Sequence, residues 1–224
     1  MNIDSFNDRI IDLWCEYKKV KKLTLLPYIY SEPERYGILF LTLNPAFRKN
    51  RKDKELYKIA NINNKNIEII KKLHKEHLNN PKHPFFGRLR KVAEYVGFPQ
   101  KWDQSDLFFL RQTDSEKLYA KILDKDNLNE FGRKQLEISV DIIKYIKPEI
   151  IVVGSKKALK ILMGKKGKFS LDINVDVVDN KSDTYILNIK KRKYRMIYRR
   201  LIGPYISEST LQETMRDIKN FVNS

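Results

Sequence analysis

Apolar and polar positions follow two rhythms along this chain. Residues 38–43, Ile-Leu-Phe-Leu-Thr-Leu, are apolar almost without interruption, as a strand buried on both faces of a parallel sheet must be. Residues 149–154, Glu-Ile-Ile-Val-Val-Gly, repeat that pattern. Tyr-Ile-Leu-Asn-Ile at 185–189 and Arg-Met-Ile-Tyr-Arg-Arg-Leu-Ile at 195–202 read as two more strands around a basic turn. A further short strand is expected over Gln104–Gln112, placing Asp106 near its start and Arg111 near its end.

Between these runs the spacing changes to that of helices. Ile10, Ile11, Leu13, Trp14 and Tyr17 form one face of an N-terminal helix with lysines on the other side. Leu89, Val92 and Val96 do the same in a helix that Gly97 stops. Helices are also expected around Leu136, Val140 and Ile143, directly after Gly154-Ser155, and over the C-terminal stretch carrying Leu211, Met215, Ile218 and Val222. Strands with apolar interiors alternating with helices predict a three-layer α/β/α sandwich with a central, mostly parallel sheet. No internal repeat or linker divides the chain, so residues 1–224 read as one domain carrying a basic insertion at about 48–82. In such sheets ligands lie beyond the carboxyl ends of the strands. Asn44-Pro45, the Asp106–Arg111 stretch, Gly154-Ser155 and the segment after Ile202 are therefore expected on one rim.

Charge sharpens that picture. The chain carries 45 Lys and Arg against 28 Asp and Glu, a net charge of +17, which suits a polyanion. The run from Lys190 to Arg200 holds seven basic residues and no acid, with Tyr194 and Tyr198 interleaved, and is expected to contact phosphate. Lys156 and Lys157 at a helix start would add to it. There is neither a GxGxxG nor a GxxxxGK[ST] motif, so a dinucleotide enzyme or P-loop enzyme has no support. The single cysteine, Cys15, excludes a disulfide within the chain and leaves no cysteine set for zinc or an iron–sulfur cluster. His74 and His77 have helical spacing but no carboxylate-rich setting, so they read as solvated. Without a signal-like segment or a long apolar stretch, the expected setting is cytoplasmic, with no membrane partner.

Three short segments carry candidate chemistry. In Thr42-Leu43-Asn44-Pro45 the proline holds Asn44 extended, and an amide so fixed positions a water by hydrogen bonds without accepting its proton. In His83-Pro84-Phe85-Phe86-Gly87 one ring belongs to the core and the other lines a pocket; Phe85 has the place to stack on a flat base. Asp106 on the rim offers hydrogen-bond acceptors, or else caps a strand end.

Taken in order, these segments resemble the uracil-DNA glycosylase superfamily. Residues 38–47 resemble the motif in which a strand ends on Asn-Pro. Residues 83–98 resemble the segment whose Phe stacks on the extruded base, residues 106–114 the base-reading strand, residues 146–164 the Lys-Pro-strand-Gly segment, and residues 201–218 the last motif and closing helix. The resemblance implies a monofunctional DNA glycosylase with Asn44 positioning the attacking water. Leu43, Ala46, Phe85 and Asp106 would hold the base, with Arg111, Lys156, Arg199 and Arg200 on phosphates. Tyr205 or Ile206 would fill the gap left by the flipped base. It implies DNA as partner, no obligatory protein partner, a monomer, and no metal or organic cofactor.

The departures from the family pattern matter as much. Thr42 and Ala46 stand where it has glycines, and Gly203 where it commonly has a histidine near the leaving base. Losing such a donor costs on the order of 3 kcal/mol of transition-state stabilisation. Asp106 falls at the base-reading Asn position. When ionised it would favour an exocyclic amino group over uracil O4, implying a cytosine-like or modified base unless it only caps the strand. The alternative reading is a non-catalytic nucleic-acid-binding protein that keeps the fold.

Overall fold

A computed structural model describes residues 2–45, 54–125, 127–164, 173–200 and 206–224. Helix α1 (Ile3–Tyr17) begins where the Asn2 side chain accepts from the Ser5 N–H at 3.0 Å and buries Phe6, Ile10, Leu13 and Trp14. Strand β1 (Ile38–Thr42) is buried at all five positions. Two short 3-10 turns, Lys54–Tyr57 and Ile59–Asn61, then lead into α2 (Asn64–Asn79). Helix α3 (Phe86–Val96) ends at Gly97 with φ 101°, a left-handed cap that a side chain would strain. It is followed by β2 (Trp102–Asp106), α4 (Ser115–Ile122), a minimal ladder of β3 (Leu123–Asp124) with β4 (Asn127–Leu128), and α5 (Glu130–Ile146). The chain continues through β5 (Ile150–Val153), α6 (Lys156–Leu162), β6 (Ile173–Asp179), β7 (Thr184–Ile189), β8 (Arg192–Tyr198) and α7 (Glu208–Asn223).

Six strands form one sheet in the order β2-β1-β5-β8-β7-β6. The first four are parallel, and β7 and β6 join as an antiparallel extension. Leu39, Leu41, Ile151, Val153 and Met196 point into a core shared with α1, α4, α5 and α6. Ile38, Phe40, Ile150, Val152 and Ile197 point the other way, into a core closed by α3 and α7. The protein is thus an α/β fold with helices on both faces of a mostly parallel sheet, which accounts for strands apolar on both sides.

Two expectations change here. The strand expected over 104–112 lies at 102–106, so Asp106 ends it instead of starting it. From Asp103 to Asp106 its side chains are polar yet buried, bonded to Thr42, Tyr28, Tyr30 and main-chain N–H groups, which hides the strand from a hydrophobicity reading. The apolar run Leu107–Leu110 is buried beyond the strand end, tied to the β1 extension by Leu107 N–H to Thr42 O and Phe108 N–H to Leu43 O, each 3.0 Å.

The basic run is the second change. Because β8 is parallel to β1, the turn at Lys190-Lys191 sits at the amino end of the parallel strands and Arg199-Arg200 at the carboxyl end. At about 3.3 Å per residue, β8 separates the two basic groups by about 20 Å. Of the run, only Arg199-Arg200 therefore lies at the carboxyl-end rim where the whole was expected.

Candidate functional site

The strand order reverses beside β1: the chain goes to β2 on one flank and later to β5 and β8 on the other. Such a switch point opens a crevice at the carboxyl ends of the two diverging strands. Leu43–Pro45 leaves β1 there and Gly154-Ser155 leaves β5, joined where the Gly154 N–H donates to Leu41 O at 2.9 Å.

Asn44 is held at this point, among the described residues, by main-chain carbonyls. Its Nδ2 donates to the carbonyls of Leu110 at 3.1 Å and Gln112 at 2.5 Å, with Pro45 O at 3.3 Å. The Gln112 N–H returns a bond to Pro45 O at 3.1 Å. An oxygen in place of Nδ2 would face three carbonyl oxygens, so the surroundings settle which end of the amide is which. Among the described residues nothing donates to Oδ1. The amide thus keeps a fixed acceptor whose own partner can be a water. Leu43 is 7% exposed, with its side chain in the core and its carbonyl engaged by Phe108. Ala46 lies outside the described residues.

Asp106 pairs in register with Thr42, which lies two residues before Asn44. The Thr42 hydroxyl donates to its carboxylate, and Gln104 Nε2 donates to Thr42 Oγ1 at 3.1 Å. Tyr28 extends the chain of bonds: its hydroxyl reaches Gln104 Oε1 at 3.4 Å and is tightly paired with His74 Nε2. On the opposite face of β2, Ser105 meets the Tyr30 hydroxyl at 2.6 Å. Asp106 is only 1% exposed, and this burial pushes its pKa up to about 6 against the bonds from Thr42 and Gln104 and the charge of Arg111. His74 is buried, not solvated as its sequence setting implied; burial and then the charge of Arg111 lower its pKa to about 3, keeping the ring neutral.

Arg111 follows the carbonyl that Asn44 grips. Its guanidinium lies 4.3 Å from the Tyr57 ring centroid and 5.6 Å from that of Tyr28, a cation–π setting. It supports the rim from within. Arg199 is engaged in a similar way, with Nε on Asp217 Oδ2 at 2.8 Å and Nη1 on Ser182 O at 2.9 Å. Nε ties the end of β8 to α7, and Nη1 ties it to the turn between β6 and β7. Lys156 and Arg200 are exposed at the same rim.

Phe85 and Phe86 divide as their different settings require. Phe86 is 8% exposed in the α3–α7 core, whereas Phe85 is half-buried with its ring 5.0 Å from Phe86. His83 Nδ1 accepts from the Phe85 and Phe86 N–H groups at 3.3 and 3.2 Å, capping α3. A Cβ at Gly87 would lie 2.3 Å from Pro81 O, so this turn requires glycine. Since α3 leads back to the start of β2, its first turn, with Phe85, lies at the carboxyl-end rim. Ile206 is half-buried against the same core. Tyr205 and Gly203 lie outside the described residues.

The network joining Thr42, Gln104, Tyr28 and His74 was not legible in the sequence, because it forms only once β2 is placed. Among the described residues there is no group of three or more His, Cys, Asp or Glu side chains placed to hold a metal. None of the described helices is long and apolar enough to cross a membrane. No protein-family model matches the chain, and no curated protein sequence matches it.

Proposed function

We propose that the protein hydrolyses the N-glycosidic bond of a base flipped out of DNA, as the resemblance to uracil-DNA glycosylases implies. The observation that carries this reading is Asn44: a rigid amide at the topological switch point, with its nitrogen consumed by main-chain carbonyls and its oxygen left to orient a water. Water attacks C1′, the C1′–N bond breaks, the electron pair leaves with the base, and the water's proton passes to solvent. Asn44 orients the water and takes no proton.

The base enters over Thr42 and Asp106. Phe85 stacks on it, and base–aromatic stacking of about 1–3 kcal/mol offsets much of the few kcal/mol that flipping costs. A carboxyl with a pKa of about 6 adds a feature that the sequence did not reveal. Ionised, it accepts from an exocyclic amino group; protonated, it offers both O–H and C=O and suits the N3–H and O4 of uracil. Lys156 and Arg200 meet phosphates at the rim.

Base release from labelled single- and double-stranded oligonucleotides, read by alkaline cleavage at abasic sites, tests this. The panel holds uracil, mispaired thymine, cytosine and modified cytosines. Release of one base type supports the reading, and tight binding without release from any substrate overturns it. The second reading, a binding protein without turnover, is favoured by one observation: Asp106 is enclosed by its own partners at 1% exposure.

A further inference from the structure

The turn between α1 and the chain leading to β1 reads Lys18-Lys19-Val20-Lys21-Lys22. Val20 at its tip is 75% exposed, Lys18, Lys19 and Lys22 are exposed, and Lys22 has φ 49°. The fifth lysine of the cluster comes from α4: Lys121 Nζ donates to the main-chain carbonyl of Lys21 and reaches that of Lys22 at 3.5 Å. Lys121 therefore braces the turn while adding charge to it, and burial together with Lys21 and Lys22 lowers its pKa. Two acids near the end of α1, Glu16 and Glu130, both pair with Lys134. Among the described residues no carboxylate pairs with any of the five lysines.

The position of the turn gives the cluster its meaning. Helix α1 packs antiparallel to α5, with Arg9 on Asp141 and Glu16 on Lys134, so the end of α1 lies by the start of α5 at the carboxyl-end rim. Helix α4 bridges the two regions. Its first residue, Ser115, takes Lys157 Nζ at 2.5 Å beside β5, and its last turn holds Lys121 under the lysine turn. Eight residues of helix span about 12 Å, the rise of about three to four phosphates along one strand.

We propose that the Lys18–Lys22 turn is a phosphate-contacting surface for nucleic acid, linked to the Asn44 rim along α4. This rests on the nucleic-acid part of the function proposed above and not on base release. A lipid surface fits less well. The apolar residues of α4, Leu118 and Ile122, are buried, so Val20 is left as a lone apolar tip, whereas membrane-surface binding needs a broad apolar face. A single apolar tip among cations fits a nucleic-acid groove.

The test compares two full-length variants with the same loss of charge. One is K18Q/K19Q/K21Q/K22Q. The other is K190Q/K191Q/R192Q/K193Q, which neutralises the hairpin at the opposite end of the sheet. Fluorescence anisotropy measures binding of a labelled duplex and a labelled single strand across a salt series. With about 0.9 counterions released per duplex phosphate contact, the turn variant should lower the log K against log salt slope by about 2 to 3. It should bind at least about tenfold more weakly near physiological salt, while the hairpin variant stays within about twofold of wild type. Equal losses in both variants, wild-type binding by the turn variant, or no oligonucleotide binding by wild type overturn the proposal. So does a loss confined to sedimentation with phosphatidylserine vesicles. Turn-dependent binding with no base release from wild type would instead support this surface and overturn the glycosylase reading alone.

Discussion

Replacing Asn44 by aspartate exchanges one NH2 group for oxygen, at a place where the structure makes that exchange costly. Nδ2 donates to Leu110 O and Gln112 O, with a third carbonyl, Pro45 O, at 3.3 Å. Losing two such bonds costs about 2 kcal/mol, and turning an ionised carboxylate toward carbonyls in a half-buried site adds about 1–2 more. The expected deficit at pH 8 is therefore about 3 kcal/mol, or about 1 M in the urea midpoint at an m-value near 3 kcal/mol/M. Below about pH 5 the acid is protonated and returns one O–H donor, so about a third of the deficit should disappear. Asn44→Ala loses only the two bonds, and its deficit of about 2 kcal/mol should not change with pH. Urea titrations followed by tryptophan fluorescence at pH 8 and 4.5 measure both. An aspartate variant as stable as wild type at pH 8, or one that tracks the alanine variant at both pH values, would refute the assigned orientation of the amide.

Three other outcomes follow from the same geometry. Asp103 is buried, accepts from the Glu34 and Gln104 N–H groups, and has a pKa raised by burial from 3.8 to about 7. A carboxyl raised in the folded state contributes stability below its unfolded pKa that is lost as pH rises through the folded value. Over pH 4 to 7 its share of the fall is about 3 kcal/mol, since the slope of 1.36 kcal/mol per unit is reached only between the unfolded and folded values, and Asp103→Asn should flatten the urea midpoint across that window. Gly87→Ala should cost about 1–3 kcal/mol by forcing the first turn of α3 away from Pro81, read as a lower thermal midpoint and weaker oligonucleotide binding. If Asp106 reads the base edge, uracil release relative to cytosine-type release should fall about tenfold per pH unit above its pKa of about 6, following the protonated fraction. Asp106→Asn should abolish that dependence in a pH series of release rates.

Much of the sheet was legible because β1 and β5 are buried on both faces, and burial of that kind leaves no choice but apolar residues. Helix α3 was legible from Leu89, Val92, Val96 and the stop at Gly97, each of which does what its spacing implies. Strand β2 was misplaced because its buried residues are Asp103, Gln104, Ser105 and Asp106, whose partners Tyr28, Tyr30 and Thr42 come from distant stretches. No periodicity records a hydrogen-bond partner. Strand β6 escaped notice because it is an edge, half solvated, with a register shift between Val177 and Asp179. The place of Asn44 at the end of β1 was legible because Asn-Pro directly follows a buried strand. The separation of Lys190–Lys193 from Arg199-Arg200 was not, since it depends on which way β8 runs.

The proposed hydrolysis depends on Asn44 orienting the water, and single-turnover base release by wild type and Asn44→Ala tests it most directly. The assay uses whichever panel substrate wild type cleaves, at protein concentrations that saturate binding for both proteins. Removing a preorganised polar group that acts on the transition state should slow release by about 10²–10³-fold, with oligonucleotide affinity within about threefold of wild type. Release by Asn44→Ala at the wild-type rate, with the substrate fully bound, would contradict the assignment.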